Sequence, residues 1–222
     1  MSLLPTIELA TNRNPTASVI WLHGLGADGY DFVPVVKELG IPDALSLRFV
    51  FPHAPLQPVT INNGMVMRAW YDVSYDGLER RTDDAGVLQS AAAVEALVAH
   101  EMARGIPPRR IVLAGFSQGG AVALTLGTRF GKRLGGILAL STYLPMPDEL
   151  AEIASPENRD IPIFMAHGNQ DNVIPIRMAE ASRSRLESLG YPVDWHSYPM
   201  AHSLCMEEVE AVSAWLLQCL EP

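Results

Sequence analysis

The 222 residues carry 25 Asp+Glu against 16 Lys+Arg, a net charge of -9 that disfavours nucleic acid or an anionic membrane surface as a general partner. Hydrophobic residues make up 48% and charged residues 18%, a balance that leaves no room for long disorder and suits one domain, residues 1–222, with a sizeable core. No apolar run is long enough to span a bilayer and no basic, apolar, small-residue leader opens the chain, so a cytoplasmic protein without stable membrane insertion is expected.

In chain order, a weak strand near Thr6 to Leu9 precedes Ala17-Ser18-Val19-Ile20-Trp21-Leu22. That run is apolar without alternation, as a strand buried on both faces should be, and it leads into His23-Gly24-Leu25-Gly26. Phe32, Val36 and Leu39 predict a helix stopped by Gly40, and Leu45 to Phe51 a further strand. Residues 52–82, with Pro52, Pro55, Pro58 and Asn62-Asn63-Gly64, hold neither period for long and read as an irregular lid or pocket loop. Thr82-Asp83-Asp84 caps a helix with Val87, Ala91, Val94, Val98 and Met102 on one stripe, ended by Gly105 and Pro107.

Ile111 to Phe116 is the next buried strand; Ser117 follows, then a helix to about Phe130. Gly136 to Leu140 and Ile161 to Ala166 are strands, the second entering His167-Gly168-Asn169-Gln170-Asp171. A helix opened by Pro175 and closed by Gly190, the strand Val193 to Tyr198, a loop through His202 and a helix carrying Cys205, Val209, Val212, Leu216 and Cys219 complete the chain. The two cysteines would stand about 21 Å apart on that helix, beyond disulfide reach, and read as core thiols. Alternating strands and helices imply a mainly parallel central sheet with helices on both faces, the α/β class.

In such a sheet, active sites gather at the carboxyl ends of the strands. Gly115-Phe116-Ser117-Gln118-Gly119 stands between a strand and a helix, where the pattern means a nucleophile elbow: a strained turn that lifts the serine hydroxyl clear of the sheet. Side chains at Gly115 or Gly119 would collide with the neighbouring strand or helix. Asp171 and His202 follow two later strands, and the order Ser, Asp, His is that of an α/β-hydrolase. A serine hydroxyl needs a base, for which His202 is the candidate, with Asp171 to hold the imidazole tautomer. The backbone N–H groups of Leu25 and Gln118 are the candidate oxyanion hole.

Each part has a plainer reading. The serine could be a helix N-cap, Asp171 a turn residue before Pro175, and Gly24 and Gly26 turn glycines. Among the other histidines, His167 is the rival to His202, since it too stands at a strand end. What favours the catalytic reading is that separate segments deliver all the parts of one acyl-transfer site. No metal-ligand spacing, Walker lysine or dinucleotide fingerprint is present, so neither metal nor cofactor is expected.

At these residues the chain resembles the phospholipase/carboxylesterase family of α/β-hydrolases, which includes acyl-protein thioesterases, lysophospholipases and small bacterial carboxylesterases. The likeness runs from about Trp21 to Trp215, through His23-Gly24-Leu25-Gly26-Ala27-Asp28-Gly29, Trp70-Tyr71-Asp72, Gly115 to Ala121, His167-Gly168 with Asp171 and Pro175, and Tyr198 to Met200 before His202-Ser203. It implies the α/β-hydrolase fold, Ser117, Asp171 and His202 as triad, Leu25 and Gln118 as oxyanion hole, and a Trp70 segment lining the acyl pocket. Two departures stand out: Thr142 in Ser141-Thr142-Tyr143-Leu144-Pro145, where many members have glycine, and Pro199 before Met200. Thr142 would narrow the space beside the acyl chain.

The expectation is therefore a serine hydrolase of small-molecule carboxylic esters and thioesters with short to medium acyl chains, its pocket partly lined by Met65, Trp70 and Leu144. Alternatives are a lysophospholipase or a depalmitoylase acting on lipid or S-acylated protein, and a non-catalytic small-ligand receptor on the same fold.

Overall fold

The computed structural model describes residues 3–42, 45–77 and 79–220; the outermost residues of the expected 1–222 domain, and Leu78 of the expected 52–82 loop, lie outside the described residues. The strands are β1 (Thr6–Ala10), β2 (Ala17–Leu22), β3 (Leu47–Pro52), β4 (Leu56–Val59), β5 (Met65–Arg68), β6 (Val73–Asp76), β7 (Glu79–Thr82), β8 (Ile111–Phe116), β9 (Gly136–Leu140), β10 (Ile163–Gly168) and β11 (Val193–Tyr198). The helices are α1 (Val35–Glu38), α2 (Asp84–Ala103), α3 (Gln118–Arg129), α4 (Leu150–Ile153), α5 (Ile176–Ser188) and α6 (Met206–Leu220).

Seven strands form one sheet in the order β1-β3-β2-β8-β9-β10-β11. All neighbours are parallel except β1, which pairs antiparallel with β3 from Thr6↔Pro52 to Ala10↔Arg48. The unbroken apolar strands are explained by two cores. Ile20, Leu22, Leu113 and Ile137 face α2, α3 and α5, while Val19, Trp21, Val112 and Leu138 face the side of α6. Every residue of β2 is buried. At about 1.5–3 kcal/mol for each large aliphatic side chain removed from water, these strands hold the sheet together.

The chain leaves β2 toward β3 on one side and later returns to β8 on the other. The carboxyl ends of β2 and β8 therefore flank a crevice at the point where strand order reverses, the usual ligand position in an open parallel sheet.

Two sequence expectations are corrected. The helix predicted from Phe32 to Leu39 shrinks to the four residues of α1. Pro34 lies inside the stripe; its ring removes a backbone donor and disfavours the helical conformation at Val33. Residues 52–82 are not irregular throughout: β4 pairs with β5 from Leu56↔Arg68 to Val59↔Met65, and β6 with β7 from Val73↔Thr82 to Asp76↔Glu79. Each strand has only four residues, too few to show a period. Cys205 and Cys219 are free and half-buried, Cys219 packing against the core on the α6 side.

Candidate active site

Ser117 closes β8 with φ 55° and ψ −120°, a conformation an L residue holds at a cost of about 1–3 kcal/mol and only where its surroundings over-determine it. Three hydrogen bonds do so. Ser117 N–H donates to the Leu140 carbonyl at 2.9 Å, Ala121 N–H donates to the Ser117 carbonyl at 3.2 Å, and Thr142 Oγ1 donates to that same carbonyl at 2.6 Å. Thr142 is buried and its methyl packs toward Gly120, so its hydroxyl pins the turn; it is not among the residues lining the cavity beside Ser117, and the expected narrowing there is corrected.

The expected glycine collisions are present. A Cβ on Gly115 would overlap the backbone of Gly119, and one on Gly119 would overlap the carbonyls of Leu22 and His23. Strand, turn and helix thus touch backbone to backbone, and β2 is drawn against the elbow. The Gln118 amide is the first of α3, where helical N–H groups have no partner within the helix. Neither it nor the Leu25 amide donates to a backbone carbonyl among the described residues.

His202 Nδ1 lies 2.6 Å from Asp171 Oδ2. A carboxylate only accepts, so Nδ1 donates, and in the neutral ring Nε2 is the nitrogen that carries the lone pair. Asp171 is itself fixed, its Oδ1 accepting from the amides of Val173 and Ile174 at 2.8 Å each. Phe116 stacks obliquely on the His202 ring, centroids 4.7 Å apart, restricting its rotation. Ser117 and His202 line one cavity of about 280 Å³, together with Leu25, Ile61, Arg80 and Val173. A larger depression, about 390 Å³, lies around Arg109, Gly135 and Pro162, which precede β8, β9 and β10 and so mark the opposite end of the sheet.

His167, the rival, is fully buried and donates from Nε2 to the Ile174 carbonyl at 2.8 Å; its Nδ1 has no partner. Burial lowers its pKa, the Ile174 and Asp171 oxygens offsetting part of that shift. It is absent from the cavity wall. His23 accepts the Ala54 amide on Nε2 at 3.0 Å, so Nδ1 carries the proton toward the Gly24 carbonyl at 2.7 Å. Burial lowers its pKa too, and both ring nitrogens are already engaged.

The three predicted pocket residues fall elsewhere. Met65 is 63% exposed on the β4–β5 hairpin, Trp70 is buried with Nε1 donating to the His23 carbonyl at 2.8 Å, and Leu144 lines a separate depression beside Tyr143 and Pro145. None of them lines the cavity shared by Ser117 and His202. Sequence reasoning missed the Gln118 side chain. Its Oε1 accepts the Trp70 amide at 3.0 Å and its Nε2 donates to the Tyr71 carbonyl at 2.8 Å, tying the Trp70 segment to the elbow. The available signal was a long polar residue in a turn that sterics otherwise bury. Among the described residues, no group of three His, Cys, Asp or Glu side chains is arranged to hold a metal ion.

A mainly parallel sheet with a strained serine after one strand and a carboxylate-bound histidine after others defines the α/β-hydrolase class. The model of the phospholipase/carboxylesterase family matches residues 6–220, and the chain belongs to that family. It is 42% identical to acyl-protein thioesterase 1 of Neurospora crassa over 97% of this chain and 91% of that one. Among solved structures it resembles Arabidopsis thaliana SOBER1, with TM-score 0.87 and 30% identity over 92% of this chain and 99% of that one. It also resembles Zea mays acyl-protein thioesterase 2, with TM-score 0.85 and 29% identity over 97% and 99%. Among the described residues, no helix is long and apolar enough to cross a membrane.

Proposed function

We propose that the chain hydrolyses carboxylic esters and thioesters of short to medium acyl chains through an acyl-enzyme on Ser117. The observation that carries this reading is the 2.6 Å contact from His202 Nδ1 to Asp171, beside a cavity that His202 and Ser117 both line. In this account Nε2 takes the Ser117 proton as Oγ attacks the acyl carbon, then returns it to the departing alkoxide or thiolate. Water repeats the sequence on the acyl-enzyme and releases the acid. The amides of Leu25 and Gln118 receive the oxyanion, and Asp171 stabilises the imidazolium without taking its proton.

The cavity volume, about 280 Å³, lies just below the usual range of about 300–1,000 Å³ for ligand sites, which favours the shorter acyl chains. Cleavage of S-acylated protein is a second reading, favoured by the likeness to the Neurospora acyl-protein thioesterase. One series separates the two: kcat/KM for 4-nitrophenyl esters and matched thioesters from two to sixteen carbons, with an S-palmitoylated peptide alongside. The first reading expects a maximum between about four and eight carbons; a rate that climbs to the palmitoyl peptide selects the second.

A further inference from the structure

The cavity that holds Ser117 and His202 has a mostly apolar wall, including Leu25, Ile61, Phe116 and Val173, into which two charged side chains are set: Arg80 and Asp31. Arg80 comes from β7 and belongs to none of the motifs of the site. Its bonding is thin for a guanidinium. Nη1 donates to the Val173 carbonyl at a long 3.3 Å, the group lies over the Tyr143 ring with its carbon 5.5 Å from the centroid, and Nε is buried with no hydrogen-bond partner. Its neighbour Arg81 pairs with Asp76 at 3.3 Å, whereas Arg80 forms no ion pair among the described residues.

A buried donor without an acceptor is uncommon enough to need a reason, and a planar guanidinium with spare donors is suited to a carboxylate or phosphate. Val173 links this group to the chemistry, because its carbonyl holds Arg80 while its amide holds Asp171. Asp31 is the opposing influence in the same wall; burial, and then the nearby Asp28, raise its pKa.

We propose that Arg80 is a specificity-determining residue that receives an anionic group, carboxylate or phosphate, carried by the ester or thioester beside its scissile bond. This rests on the hydrolase reading above. Two substrate pairs test it and distinguish where the anion is carried: 3-carboxyphenyl butyrate against phenyl butyrate for the leaving group, and mono-4-nitrophenyl adipate against 4-nitrophenyl hexanoate for the acyl group. Each kcat/KM is divided by the rate of hydroxide hydrolysis. The expected result is a preference of about tenfold for the carboxylate in one pair, falling to near unity in Arg80→Gln and partly kept in Arg80→Lys. Labelling of Arg80→Gln by a fluorophosphonate verifies that its site is formed. If that variant does not fold, Arg80→Lys decides the matter, a carboxylate preference reduced relative to the unaltered protein supporting the proposal and an unchanged preference overturning it. No preference in either pair, a preference that survives Arg80→Gln, or a preference for the trimethylammonium analogue, which would point to Asp31, overturns it while ester hydrolysis stands. Absence of turnover on all four esters together with absence of labelling overturns the hydrolase reading, and this proposal with it.

Discussion

The crevice between β2 and β8 and the segment from Pro52 to Thr82 border the same site but are held in different ways. The crevice is made by main chain: Gly115 against Gly119, Gly119 against the carbonyls of Leu22 and His23, and a serine whose strained backbone is fixed at both its N–H and its C=O. The Trp70 segment is made of two short hairpins joined to that crevice mostly by side chains, the Gln118 amide and the Trp70 indole, with one main-chain bond from the Gly26 N–H to the Arg68 carbonyl; the Ser90 hydroxyl ties Trp70 to α2. Ser117, the proposed nucleophile, therefore stands on the part that tolerates least displacement, while Asp171 and His202 come from the loops after β10 and β11. The substrate-facing part is joined by contacts that a single substitution removes.

This division between main chain and side chain can be broken at several points. Asp171→Asn leaves the loop in place but lets the wrong imidazole tautomer form, and kcat should fall about 10⁴-fold with little change in unfolding midpoint. Activity within tenfold of the parent would remove Asp171 from the triad. Gly119→Ala forces a methyl into two carbonyl oxygens and should cost about 3 kcal/mol in urea unfolding, or prevent folding. A neutral substitution there would mean that β2 and the elbow are not in backbone contact.

Gln118→Ala strands a buried N–H on Trp70 and a buried C=O on Tyr71, at about 2 kcal/mol, while its own backbone N–H stays available to an oxyanion. KM should accordingly rise more than kcat falls; the reverse split would place the side chain in the chemistry rather than in holding the segment.

The smallest effect concerns α6, which begins just after His202. Glu208 is fully buried, neither carboxyl oxygen makes a well-formed hydrogen bond, and burial pushes its pKa from 4.5 to about 8, the Cys205 amide offsetting only part. A carboxyl with a raised folded-state value contributes stability that is whole below pH 4.5 and declines as the pH climbs toward 8. Glu208→Gln should flatten that decline, so that its stability relative to the parent rises from pH 5 to pH 8. Parallel stability curves for the two proteins would contradict it.

What could be read from the sequence follows the same division. Buried strands announce themselves as unbroken apolar runs, and residues at their ends carry type and spacing, so the parallel sheet, Ser117, and the Asp171–His202 pair were accessible. Met65, Trp70 and Leu144 do not line the cavity of Ser117 and His202, because a cavity wall is assembled by long-range packing. Val173 faces the cavity only because Asp171 folds its loop, and Arg80 only because a hairpin of four-residue strands carries it there. Thr142 shows the limit of size arguments: a larger residue in place of glycine spends its hydroxyl on the Ser117 carbonyl instead of filling the site.

The central claim is that Ser117 is a nucleophile activated by His202, and covalent labelling tests it most directly. Intact-mass and peptide mapping after exposure to a fluorophosphonate should find one adduct, on Ser117, absent in Ser117→Ala and formed at least about 10³-fold more slowly in His202→Ala. Folded protein that acquires no adduct, or acquires one on another residue while Ser117 stays unmodified, would contradict the account.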